Sequence, residues 1–92
     1  MTAAPPASPR YWLNRVMFDL GDPANRAAFG AGKEAFLARY PLGPADRAAL
    51  AGPDWQALLA RGALPVLVFK YFMLHGLAPE RFAEIVGGGR HG

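Results

Sequence analysis

From Ala63 to Gly76 the chain reads Ala-Leu-Pro-Val-Leu-Val-Phe-Lys-Tyr-Phe-Met-Leu-His-Gly, and Lys70 is its only certain charge. A helix on the surface of a globular protein keeps one polar face. This segment has none, so a helix over about residues 64–75 must be covered on most sides. It is too short to span a bilayer, which takes ~20 apolar residues. The chain has 92 residues in all, and a domain of that size buries only about 60–65% of the surface its unfolded form exposes. Two arrangements meet these limits: the flanking segments enclose the apolar helix, or another protein covers part of it.

The rest of the chain supplies helices to pack around that segment. Ala, Leu and Arg are abundant while Thr and Ile occur once each, a balance that favours helix over strand. Eighteen of the apolar residues are alanine, so the core rests on Leu and aromatic side chains, enough for one small domain. Proline and glycine divide the sequence clearly. A first helix is expected from Pro9 to Leu20, with Trp12, Leu13, Val16, Met17 and Leu20 on one face. Asp22-Pro23 reads as an N-cap followed by proline at the first helical position, opening a helix to about Phe29. Lys33 to Tyr40 forms a third, stopped by Pro41. Gly43-Pro44 opens a fourth through Ala51, and Gly52-Pro53 a fifth through Arg61. Gly62 and Pro65 mark the start of the central helix, and Gly76 its end. Ala78-Pro79 begins the last helix, with Phe82, Ile85 and Val86 facing inward. The expectation is therefore an all-α domain of six to seven short helices over residues 9–87. Residues 1–8 are expected to form a disordered tail and residues 88–92 a flexible glycine-rich one.

Charge and composition exclude several function classes. The net charge is +3 at pH 7, but the basic residues are spread singly, with acids between many of them. Phosphate recognition wants a clustered stripe and a polar recognition helix, so no nucleic-acid partner is expected. With no cysteine there is neither a disulfide framework nor a thiolate metal site. Met1 to Pro9 lacks the apolar region of a signal peptide, which makes the cytoplasm the expected location.

The inventory for catalysis is nearly empty. Ser8 and Thr2 are the only serine and threonine, both in the expected N-terminal tail, so nucleophilic catalysis has no carrier. His75 and His91 are the only imidazoles. Two histidines and a carboxylate could hold iron only if the glycine-rich end folded back; His75 suits the negative end of the central helix instead. Glu80, Arg81 and Glu84 read as a solvated first turn that favours the helix dipole. Lys70 reads as a snorkelling side chain or half of an interface ion pair. No catalytic residue, cofactor site or metal site is expected in this chain. Tyr71, Phe72, Met73 and Leu74 are consecutive and point all round a helix turning ~100° per residue. Together with Trp12 and Trp55, they serve equally as core or as interface anchors.

Several segments, in order, resemble the small (alpha) subunit family of protocatechuate 4,5-dioxygenase, an extradiol ring-cleaving enzyme. They are Leu13-Asn14-Arg15, Asn25-Arg26-Ala27-Ala28-Phe29, Glu34-Ala35-Phe36-Leu37, Tyr40-Pro41-Leu42, Arg47-Ala48-Ala49-Leu50 and Asp54-Trp55-Gln56-Ala57-Leu58-Leu59 with Gly62. His75-Gly76-Leu77 and Pro79-Glu80-Arg81-Phe82-Ala83-Glu84-Ile85-Val86 complete the set. The resemblance implies an all-helical, non-catalytic subunit. It would pack on a large (beta) subunit whose Fe(II) cleaves a catechol-type ring with O2, and help to cover that active site. It places Lys70, Tyr71, Phe72, Met73, His75 and Trp12 against the partner. Longer members have a loop after the central helix that reaches the substrate pocket; here Gly76 passes almost directly to Leu77 and Ala78. The alternative is a free-standing helical docking domain, as in some peptide-maturation precursors, or a homo-oligomer with no part in ring cleavage.

Overall fold

The computed structural model describes residues 8–86. Residues 1–7 and 88–92 of the expected tails lie outside the described residues, whereas Ser8 is part of the fold as the N-cap of the first helix. The fold is all-α. Its seven helices are α1 (Pro9–Asp19), α2 (Pro23–Ala31), α3 (Lys33–Leu37), α4 (Pro44–Ala51), α5 (Trp55–Ala60), α6 (Pro65–Leu74) and α7 (Pro79–Val86).

Local chemistry sets these limits. Helices α1, α2, α4 and α6 have proline in the first turn, where its missing N–H is no loss and its fixed φ is already helical. The side chains of Ser8, Asp22 and Asp54 accept from the backbone N–H groups of Tyr11, Ala24 and Ala57. After α6 the chain turns at Gly76, whose φ of 77° lies where a side chain would be strained.

Two boundaries differ from expectation. Helix α3 stops at Leu37 rather than Tyr40, because Pro41 disfavours the helical conformation in the residue before it. Tyr40 instead leaves the helix and donates its hydroxyl to Asp19 Oδ2 at 2.7 Å. Helix α5 begins at Trp55 rather than Pro53, since Asp54 takes the extended backbone of a capping residue. In α7, Phe82 faces inward onto Phe69 and Phe72, with ring centroids 5.0 and 5.4 Å apart. Ile85 is half-buried, but Val86 is exposed.

One core runs through the molecule. Leu13, Val16, Met17 and Leu20 of the first helix and its cap meet Phe29, Phe36, Leu37, Leu50, Leu58, Val68 and Tyr71. Helix α6 packs against α1, α5 and α7, which makes it the central element. Polar side chains tie the helix ends together. Asn14 donates to Gly62 O and accepts from Leu64 N, at 3.2 and 2.7 Å, pinning the α5–α6 turn to α1. Asn25 donates to Asp19 O, and Arg26 to Leu20 O and Gly21 O. These three carbonyls end α1 and have no helical partner of their own. Buried Asp46 of α4 pairs with Arg61 after α5, and Tyr71 Oη donates to Leu50 O at 2.6 Å.

Candidate partner-docking face

Helix α6 has two apolar sides. At 100° per residue, Val68, Tyr71 and Phe72 fall on one side and Val66, Lys70 and Met73 on the other. The first set is at most 2% exposed, whereas Val66 and Met73 are 57% and 44% exposed. Leu77, past the turn at Gly76, is exposed too. The inner side is filled by the helices packed on it, and no element among the described residues covers the outer one.

The outer side of α6 forms one wall of a groove of about 930 Å³; the end of α1 and its turn into α2 form the other. Phe18, Gly21 and Arg26 lie on that second wall, facing Val66, Lys70 and Met73. Phe18 is 62% exposed, although it lies on a helix that has a well-filled apolar face. Most polar groups lining the groove are already paired. Asp19 holds Arg15 at 3.0 Å and the Tyr40 hydroxyl. Arg26 is spent on carbonyls, and Asp22 caps α2. Lys70 alone brings a charge to the groove without an ion pair or hydrogen bond among the described residues.

The residues expected at an interface therefore separate. Lys70 and Met73 are exposed on the groove side. Tyr71 and Phe72 are corrected to core residues: their rings are enclosed by this chain, with Trp55 at centroid distances of 5.8 and 5.1 Å, and little of either is left for a partner. Trp12 is half-buried, edge-on to Tyr11 at 4.9 Å. His75 caps α6 as the sequence suggested and is half-buried among Phe29, Trp55 and Tyr71, 4.6–6.0 Å between centroids. Its Nδ1 lies 2.8 Å from Tyr71 O. A carbonyl only accepts, so Nδ1 carries a proton, and the buried Nε2 has no hydrogen-bond partner among the described residues. Phe18 and Val66 were not anticipated. Their signal was present: an aromatic residue opposite the apolar face of α1, and apolar residues spaced i and i+7 along α6.

The described residues contain no group of three His, Cys, Asp or Glu that could hold a metal ion. Ser8 is engaged as a helix cap, and Thr2 and His91 lie outside the described residues. Glu80 and Glu84 are exposed, the latter 3.5 Å from Arg81. Two phenols are perturbed. Burial first, and then the bond to Asp19, push Tyr40 up to about 12; burial alone raises Tyr71. Both bonds hold a neutral hydroxyl in a structural role.

Fold and face together define an all-helical domain whose central helix keeps an open apolar stripe. The family models make the assignment specific: residues 13–88 match the family described as aromatic-ring-opening dioxygenase LigAB, LigA subunit. The match covers most of the chain, and the chain belongs to this family. No curated protein and no solved structure matches it.

Proposed function

We propose that this chain is the non-catalytic small subunit of an Fe(II)-dependent extradiol dioxygenase. It packs on an iron-bearing large subunit and helps to cover that subunit's active site. The observation that carries the proposal is the family match over residues 13–88, whose description is that of one subunit of a two-part ring-opening enzyme. Among the described residues no group of three His, Cys, Asp or Glu is placed to hold a metal ion.

The contribution assigned to this chain is mechanical. A rigid helical layer over the mouth of a site excludes water and strengthens the electrostatic interactions inside it. Residues 9–87 act as one small-subunit domain, and a catechol-type ring such as protocatechuate is the substrate class. No helix among the described residues is long and apolar enough to cross a membrane, and the proposed complex works in the cytoplasm.

Oxygen uptake tests the proposal directly. A candidate Fe(II)-loaded large subunit is assayed on protocatechuate and related catechols, with and without the purified chain. The expected result is ring-cleavage activity raised or created by the chain. Absence of both binding and response from a competent large subunit across that panel would leave the family fold standing and remove its ring-cleavage role.

A further inference from the structure

Resting on that subunit reading, we propose that the large subunit seats on the groove between α1 and α6. It meets Phe18, Val66, Lys70 and Met73 with a helix that carries apolar side chains and one carboxylate opposite Lys70. The stripe supports a helix as the occupant. Val66, Lys70 and Met73 recur at i, i+4 and i+7 along α6, the spacing of a helix-packing seam. Neither wall holds a strand, so an added strand would find no ladder to join.

The charges narrow the occupant further. A small polar ligand needs a few convergent polar groups to orient it, and here Asp19, Asp22 and Arg26 are committed elsewhere. Lys70 is left over, in the middle of an apolar stripe. An apolar surface closing on that stripe would desolvate the ammonium, which is costly unless a carboxylate meets it. A second copy of this chain fits poorly. A two-fold contact through the same face would bring Lys70 towards its own symmetry mate, with no acid in the stripe to separate the two.

The test measures binding of the Fe(II)-loaded large subunit to the full-length chain by titration calorimetry, with circular dichroism to show that each variant folds. Met73→Asp and Phe18→Asp should fold normally and weaken the complex at least ~30-fold, matching a hot-spot loss of about 2 kcal/mol. Lys70→Glu should weaken it roughly 10-fold, more at low salt than at high. Ala48→Asp, on the exposed side of α4, should bind as the parent does. Parent-like binding by the folded Met73→Asp and Phe18→Asp variants would overturn the proposed face while leaving the subunit reading intact. Two further results would overturn it: a dimer of this chain alone that Met73→Asp splits, or protocatechuate binding to the free chain that Lys70→Glu abolishes. If the parent chain binds no large subunit at all, the subunit reading fails and the face falls with it.

Discussion

The inner and outer sides of α6 are almost equally apolar, yet one is sealed and the other is open. Val68, Tyr71 and Phe72 are sealed by α1, α5 and α7. Val66 and Met73, half a turn away, look into a groove. Apolar character thus states that a face needs cover and not what supplies it. A domain this small runs out of helices before it can wrap its central one. The remaining face is the one we propose for the partner, which can seat there without disturbing the core.

Substitutions on the two sides should behave oppositely. Phe72→Asp buries an unpaired carboxylate in the core, and the cooperative thermal transition should disappear altogether. Alkaline pH strains the same inner layer. Folding holds the Tyr40 and Tyr71 phenols protonated above their ordinary value near 10. The stability this contributes is complete below pH 10 and is lost as pH rises, for Tyr40 towards about 12. Urea midpoints should therefore fall across that window, and fall less steeply in Tyr40→Phe. Tyr71→Phe, which strands the Leu50 carbonyl, should cost ~1–3 kcal/mol in the same titrations. Asp54→Ala removes the cap of α5 and should cost about 1 kcal/mol. Met73→Ser, on the open side, should stay within ~0.5 kcal/mol of the parent. A loss above 2 kcal/mol there would mean that the outer stripe is part of the core after all.

Much of the fold was legible because it is written in local stereochemistry. Pro23, Pro44, Pro65 and Gly76 act on their own backbone and on the adjacent residues, so helix order and most boundaries follow without tertiary knowledge. The exceptions involve residues that respond to non-local or capping partners. Tyr40 leaves α3 for Asp19, and Asp54 turns from a helical residue into a cap. The open side of α6 was read only in part. Lys70 and Met73 were placed on the partner side, but Tyr71 and Phe72 were placed with them, since consecutive residues on an apolar helix carry no mark of which direction faces inward. Phe18 escaped because helix periodicity gathers the residues of the filled face and leaves an isolated aromatic on the other side without an explanation.

What the sequence alone determined is the all-α class, the punctuation into short helices and the central place of the apolar segment. Each depends on propensity, ring constraint or total hydrophobicity, which are properties of a residue and its immediate neighbours. Tertiary structure decided which half of α6 is core. It also formed the groove between α1 and α6 and left Lys70 there as the charge without a partner among the described residues. Those outcomes depend on how many helices are available and where each one packs, and no local property of residues 65–74 contains that information.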